Sequence, residues 1–397
     1  MNEEFHGTPL EKISGNHNAI NTHILSHRIY MRGIDFYNLS LKSHKQHSYL
    51  HAFSRVLGQG VFLRGQENAR LRKQLIKLFG RYVTLVASGH DALLLSLQSL
   101  HLKSSDEIII PANAYPTAFA VALAGSKIKL ADVTFDGQLS AQSITTALTK
   151  HTKAIVMVHM YGATGDIDAI RDVCTKNAIY LIEDCAQAFG TTYKNKPVGT
   201  FGDIGCFSFY PTKNLGGFGD GGGIHVKQKT LYDEINKRTL YGETKRYQST
   251  LLAGHSNLPE LQAAALTISL KSAPKEFLRR KMVAQWYKKA LRPLSPNIQT
   301  LSSDAHSNPT PHLFVIRAKK RNALQKYLHA HKIPTFIHYP IPIYKVPTFA
   351  YLKTVNETFP TTESLTQEII SLPFHGNMRK SDVLKIVSII TNFYTSI

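Results

Sequence analysis

The chain has 397 residues, 43% of them hydrophobic and 19% charged, ordinary proportions for a globular protein large enough for more than one lobe. No apolar run approaches the roughly 20 residues that a membrane span needs. The opening residues, MNEEFHGTPLEK, lack the apolar core of a secretory signal. Three scattered cysteines, Cys174, Cys185 and Cys206, have no metal-ligand spacing and read as reduced thiols of a cytoplasmic protein with no metal site. The formal charge of +20 raises nucleic acid as a partner. Its lysines and arginines are nevertheless spread along the chain (70–73, 194–196, 279–281, 317–321), without a basic tail. That pattern fits a basic surface facing small anions, with no specific nucleic acid and no membrane as partner.

Taken in order, residues 1–32 show no strong periodicity and are expected to form an extension or arm. Residues 33–80 have a helical pattern that stops at Phe79-Gly80. Tyr82–Ala87 predicts a strand, after which Ser88-Gly89-His90-Asp91 opens an apolar helix over Ala92–Leu102. Ser88 is a good cap, and the free N–H groups of a helix start can take a phosphate, although many plain helices also begin Ser-Gly. Glu107–Ile110 is a short buried strand ending at Pro111, and Asn113–Thr117 leads into a small-residue helix over Ala118–Ala124. Further strands are expected at Ile128–Val133 and Ala154–Val158, and a helix capped at Gly165–Asp168 runs to Lys176. Strands alternating with helices over 80–226 predict a mostly parallel sheet with helices on both faces.

The stretch from 178 to 226 carries the chemistry. An apolar run, Ile179–Ile182, delivers Glu183 and Asp184 at its carboxyl end. A second run, Ile204–Tyr210, ends at Pro211-Thr212-Lys213-Asn214 and meets a loop with six glycines between 216 and 223. In open α/β sheets that edge is where ligands bind, so Asp184, Gln187, Ser208 and Lys213 mark a candidate cofactor site. The glycines are expected to supply positive φ and close packing. Downstream, Pro259–Leu270 and a basic stretch over Lys275–Leu291 are expected to be helical. His312–Ile316, a helix near 321–331, Pro334–His338 and a last helix from Ser381 then read as a smaller α+β lobe.

The stretches SGHDALLLSL (88–97), DEIIIPANAYPTAFAVALAG (106–125), HMYGATGDIDAI (159–170), EDCAQAFG (183–190) and GDIGCFSFYPTKNLGGFGDGGG (202–223) form an ordered set. LPELQAA (258–264), HYPIP (338–342) and SLPFHGNM (371–378) extend it. On these motifs the chain resembles the DegT/DnrJ/EryC1/StrS aminotransferases, from about residue 33 to its end. The resemblance implies a fold-type-I aminotransferase. Its large α/β domain, over 33–255, would have a mostly parallel seven-stranded sheet flanked by helices, and residues 256–397 would form a smaller C-terminal α+β domain. It further implies pyridoxal 5'-phosphate (PLP) as cofactor, a nucleotide-linked keto-sugar as substrate, L-glutamate as amino donor and a homodimer.

By match, Lys213 is the Schiff-base lysine that also moves the proton, and Asp184 is the carboxylate that keeps the cofactor ring nitrogen protonated. Tyr115 would stack on the ring, Gln187 would lie beside its 3-hydroxyl, and Ser88, Gly89, His90 and Ser208 would hold the phosphate. Four departures from the family pattern bear on substrate choice. His90 stands where a threonine is common. The family's Gly-Tyr-Asn-x-Arg pattern places its Asn, which reaches the partner subunit's phosphate, on His255 and its Arg on Asn257. The His of AQAHG is Phe189, and the second His of HYPxPxH is Tyr344; both changes are expected near substrate. His338, Tyr339, Tyr344 and Asn257 are the candidate substrate contacts. PANAYPTAFAVA is closer to the branch acting on 3-keto sugars than to the 4-keto branch. Two alternatives are a sugar dehydratase, which the family builds with His in place of the lysine, and a non-enzymatic regulatory paralogue. Lys213 argues against the first, and its pairing with Asp184 against the second.

Overall fold

The computed structural model describes residues 34–41, 43–352 and 357–396; the 1–32 extension lies outside them. In chain order the first elements are α1 (Ser43–Gln59), α2 (Gln66–Phe79), β1 (Tyr82–Val86), α3 (Gly89–Gln98), β2 (Glu107–Pro111) and α4 (Tyr115–Ala124). Next come β3 (Lys127–Ala131), α5 (Ala141–Ala147), β4 (Thr152–Val158), α6 (Ile167–Lys176) and β5 (Tyr180–Asp184). A short pair, β6 (Thr192–Tyr193) and β7 (Lys196–Pro197), precedes β8 (Ile204–Ser208), β9 (Gly222–Val226) and α7 (Lys229–Arg238). The hairpin β10 (Glu243–Lys245) and β11 (Gln248–Ser249) leads to the long α8 (Glu260–Leu291). The C-terminal part contains β12 (Ile298–Thr300), β13 (Ser307–Asn308), β14 (Phe314–Ala318), α9 (Arg321–Ala330), α10 (Pro360–Glu368), β15 (Ile369–Leu372) and α11 (Lys380–Thr395).

Seven strands form the main sheet in the order β1-β9-β8-β5-β4-β2-β3. β3, β2, β4, β5 and β8 run parallel, and β9 is antiparallel to both of its neighbours. The fold is therefore the mostly parallel α/β sheet that the strand–helix alternation predicts. Because side chains alternate across a strand, Ile182 and Cys206 fall on the face packed by α3 and α4, with Ala92, Leu93, Ala118 and Val121. Leu181 and Phe207 fall on the opposite face, with Leu71, Leu75, Ile170, Ala263 and Leu266 of α2, α6 and α8. A second sheet, β12-β14-β15, packs Phe314, Ile316 and Ile370 against Tyr287, Leu324 and Ile386.

Three expectations are corrected. The glycine loop ends early: Gly222 and Gly223 belong to β9, paired with Ser208 and Phe207 on one side and with Val86 and Leu85 on the other. None of the six glycines adopts positive φ. Close packing is the reason for them instead, since a Cβ on Gly222 would lie 2.2 Å from the Ser88 carbonyl oxygen and one on Gly216 2.4 Å from that of Pro211. Pro334–His338 is not a strand but a single bridge, Phe336 to Ser371. The two predicted helices at 259–291 are one, continuing through Pro274.

The start of α2 is capped from far along the chain. The Glu260 carboxylate, 1% exposed, accepts from the backbone N–H groups of Gly65 (2.8 Å), Glu67 (2.7 Å) and Asn68 (3.0 Å). A carboxylate suits a helix N-terminus because it meets both unpaired donors and the positive dipole end. Replacing Glu260 with Ala leaves these donors without a partner and is expected to cost about 2–4 kcal/mol. Denaturant unfolding checks this, and an unchanged midpoint would contradict it.

Candidate active site

Asp184 and Glu183 close β5 and point to opposite faces of the sheet. Glu183 is fully buried and saturated: its Oε1 accepts from Phe201 N and Gly202 N (both 2.7 Å), and its Oε2 from Gly199 N at 2.8 Å and His159 Nε2 at 3.0 Å. These donors hold its carboxyl below the usual range against the opposing effect of burial. The result is a pinned strand end. Asp184, 5% exposed, is far less satisfied, accepting from Thr117 Oγ1 (2.9 Å) and Ala186 N (3.0 Å). Burial raises its pKa, and the two hydrogen bonds and the nearby Lys213 ammonium oppose that rise. Such a carboxylate favours a cation placed against it.

Lys213 follows β8 in a tight turn, its N–H donating to the Tyr210 carbonyl at 2.9 Å. Its neighbour Asn214 is buried and anchored through Nδ2 to the carbonyls of Thr310 (2.7 Å) and Phe189 (3.3 Å). Burial lowers the Lys213 amine to about 8, and Asp184 partly offsets the shift. Among the described residues no hydrogen-bond partner meets Nζ. An amine that releases its proton this much more readily than an ordinary lysine is a usable nucleophile and proton carrier.

On the same face, β8 carries Ser208 two residues beyond Cys206, the residue paired with Asp184. Ser208 meets the start of α3, where Ser88 caps the helix by accepting from Asp91 N at 3.0 Å. A Cβ on Gly89 would stand 2.5 Å from that of Ser208, so only glycine lets the helix start approach this closely. The first-turn N–H groups of Gly89 and His90 precede the intrahelical ladder and are available to an anion. Ser256 ties the 255–257 segment to this corner, accepting from Ala87 N (2.9 Å) and donating to Asp91 Oδ2 (2.6 Å).

Gln187 is buried, its Oε1 accepts from Tyr161 N at 2.7 Å, and its side chain neighbours the Tyr339 hydroxyl. The Tyr161 hydroxyl donates to the His338 carbonyl at 2.6 Å. These contacts bring the HYPIP segment over the strand ends. Asp184 acts electrostatically on Tyr339, whose ring centroid lies 5.9 Å from that of Tyr115. His338 hydrogen-bonds Ser371 Oγ at 2.8 Å, and burial together with Lys213 lowers its pKa to about 4.

The remaining predicted positions lie apart from this cluster. His255 is exposed, with Nε2 2.9 Å from Asn257 Nδ2, and Asn257 Oδ1 accepts from Arg64 Nε at 2.5 Å. Tyr344 is 4% exposed, stacks on Phe359 and donates its hydroxyl to Glu363. Phe189 does not face a substrate region; it is buried among Phe79, Phe207, Phe209 and Phe277, because its turn directs it to the α2/α8 face. Sequence reasoning missed Thr117, Tyr161 and His312. Thr117 stands in the first turn of α4, at the strand edge where ligands gather, and that position was its available signal.

These features satisfy the needs of a phosphorylated aldehyde cofactor: an amine that loses its proton readily, a buried carboxylate that favours a cation, and a helix start, suited to an anion, whose closeness depends on Gly89. They define a fold-type-I, PLP-dependent aminotransferase. The sequence profile of the DegT/DnrJ/EryC1/StrS aminotransferase family matches residues 44–391, and the chain belongs to that family. It is 34% identical over 335 residues to the erythromycin biosynthesis sensory transduction protein EryC1 of Saccharopolyspora erythraea, covering 83% of this chain and 90% of the relative. It is also 34% identical over 346 residues to the dTDP-3-amino-3,6-dideoxy-alpha-D-galactopyranose transaminase of Aneurinibacillus thermoaerophilus, covering 86% and 94%. The crystal structure of S. venezuelae DesV superposes with a TM-score of 0.87 at 30% identity, covering 91% of this chain and 99% of DesV. PLP is the family's cofactor, and members act on sugars. No helix among the described residues is long and apolar enough to cross a membrane.

The amine of Lys213 gives a direct check. In the cofactor-free protein its labelling by an amine-directed acylating reagent, followed by peptide mass spectrometry, is expected to show a midpoint near pH 8. Asp184→Asn should move the midpoint lower, because the Asp184 charge favours the protonated amine. A midpoint at the ordinary lysine value would contradict the geometry.

Proposed function

We propose that the chain transfers the amino group of L-glutamate to the keto carbon of a nucleotide-linked deoxysugar, with a 3-keto sugar favoured. The observation that carries this reading is the placement of Lys213 and Asp184 on one sheet edge, within electrostatic range, beside the Ser88–Gly89/Ser208 corner. The PANAYPTAFAVA segment supports the 3-keto preference. So does the relative from A. thermoaerophilus, whose name specifies a 3-amino sugar.

PLP, when bound, supplies an electron sink conjugated to the carbon that gains or loses the amino group. Lys213 would hold the aldehyde carbon covalently until the incoming amino group displaces it, and the freed Nζ would carry a proton between the carbon that bears the amino group and the aldehyde carbon, in opposite senses in the two half-reactions. Asp184, oriented by Thr117, would keep the ring nitrogen protonated, since the carboxylate is stabilised most when a cation faces it. The α3 start and the Ser88 and Ser208 hydroxyls would hold the phosphate, with the N–H of His90 among the donors. Gln187 would lie beside the ring hydroxyl, and Tyr115 would cover the ring. His338 and Tyr339, held over the strand ends through Tyr161 and Gln187, would meet the sugar. Residues 33–255 would thus carry the cofactor, and residues 256–397 would close over it. L-Glutamate would leave as 2-oxoglutarate and the keto carbon would become an amine, so the two half-reactions balance.

A homodimer completes the reading. Leu252 (99% exposed) and Tyr247 (82%) stand out beside the β10–β11 hairpin, and Phe62 and Phe218 are exposed too. Exposed apolar side chains of this kind would form the contact with a second copy, since contiguous apolar surface marks protein interaction sites, and His255 would reach the partner's phosphate from there. Light scattering is expected to give twice the monomer mass, and a monomer at micromolar concentration would contradict this.

The activity test is stopped-flow absorbance of PLP-loaded protein mixed with L-glutamate. Wild type should lose its visible band. Asp184→Asn should bind the cofactor but react about 10³-fold more slowly, a typical cost for a misplaced proton. Wild type that binds PLP yet ignores glutamate would overturn the donor assignment.

A further inference from the structure

β1 is the outermost strand of the main sheet and pairs with β9. Along its open side, α2 and α7 leave a groove of about 620 Å³. Val83, Thr84 and Leu85 line it, and an edge strand turns alternate unpaired backbone N–H and C=O groups to that side. Arg64, Arg72 and Lys73 line it from α2 and the residues leading into α2, and among the described residues no carboxylate lines it. The other flank of α2 differs, since there Glu67 answers Arg55 at 3.2 Å and Arg70 at 2.5 Å. In the groove the arginines meet neutral groups. Arg64 donates to Asn257 Oδ1 (2.5 Å) and Thr239 Oγ1 (3.1 Å), and Arg72 to the Tyr232 hydroxyl (3.0 Å).

Scattered surface cations are simply solvated, but these three converge on one concavity. A cleft lined by charge of one sign focuses its field and concentrates counter-ions. Three cations suit the charge of two linked phosphates, with the guanidinium forks gripping oxygens in pairs and the ammonium acting as a point charge. The size suits a small molecule. The Arg72–Tyr232 and Arg64–Thr239 contacts run from the α2 side to the α7 side, so the groove is bounded rather than an open channel for a polymer. Its neutral groups have capacity left. Asn236 Oδ1 accepts from Thr84 Oγ1 at 3.3 Å, and an amide oxygen can take a second donor. Together with the strand edge it matches the donors and acceptors of a nucleobase. The cofactor seat lies elsewhere: none of Lys213, Asp184, Ser208, His338 and Tyr339 lines this groove, and β9 separates β1 from the strand that carries Ser208.

We propose that the groove along β1 is a second binding site, outside the active site, for a nucleoside diphosphate. Arg64, Arg72 and Lys73 hold its phosphates, and Asn236 with the open edge of β1 meets its base. The inference goes beyond the transfer reaction and stands without it, because it uses neither Lys213 nor Asp184.

Calorimetry and hydrogen-exchange mass spectrometry test it on PLP-loaded protein, with UDP, dTDP and GDP as probes. At least one nucleotide is expected to bind wild type and to slow exchange in peptides spanning 66–86. The double variant Arg72→Gln, Lys73→Gln should lose that protection and bind about 10-fold more weakly, through loss of charge-assisted hydrogen bonds. Its loss of the visible band on adding L-glutamate should match wild type. Melting temperature reports the folding of the variant, and the exchange pattern of wild type decides by itself if the variant does not fold. No protection of 66–86 by any of the three nucleotides overturns the proposal, as does equal binding by wild type and the folded variant, which would place the nucleotide elsewhere. Inorganic diphosphate binding as tightly as the nucleotides would overturn the nucleoside assignment. Tighter capture of a 20-nucleotide single-stranded DNA, with the same dependence on Arg72 and Lys73, would assign the groove to a polymer instead. Failure here is distinct from failure of the aminotransferase reading, which is judged by cofactor attachment to Lys213.

Discussion

At the end of β5 two neighbouring carboxylates are treated in opposite ways, and the site depends on the difference. Glu183 receives four donors and fixes where the strand stops. Asp184, one residue on and facing the other side of the sheet, receives two and is left buried with spare capacity. Lys213, at the end of the adjacent strand, is buried enough that its amine is poorly held as a cation. Each group is thereby short of what the other class of partner could supply. A ligand presenting a protonated ring nitrogen to one and a carbonyl carbon to the other would relieve both.

The rest of the large sheet serves this edge. Ser208 and Asp184 share a face because both lie an even number of residues from the buried positions Cys206 and Ile182. β9 sits between β8 and β1 and so sets the distance from Ser208 to the α3 start, and only a strand beginning with glycine fits beneath the Ser88 carbonyl. The C-terminal part contributes the His338–Tyr339 segment and the 310–312 segment, tied to the site by hydrogen bonds from Tyr161 and Asn214 respectively.

How much of this was legible follows from how local each signal is. Asp184 and Lys213 each close an apolar run, so their position at a sheet edge could be read directly, and the surrounding motifs named the family. β9 was hidden because Gly222 and Gly223 have loop character in isolation and become strand only through pairing on both sides. Phe189 was misplaced because its turn, rather than its motif, decides which face it joins. Thr117 and Asp184 are 67 residues apart, and Arg280 meets carbonyls 31 and 32 residues away. Contacts of that kind have no periodicity to betray them. Tyr344 shows the converse: a motif position can be filled by a residue whose ring packs into the core and whose hydroxyl is engaged by Glu363.

The central claim is that the Lys213 amine is the covalent anchor, and reduction with peptide mapping tests it most directly. Protein incubated with PLP, reduced with borohydride and digested should carry one phosphopyridoxyl group per chain, on the peptide containing Lys213. Label on another lysine, or its absence from every peptide, would contradict the account.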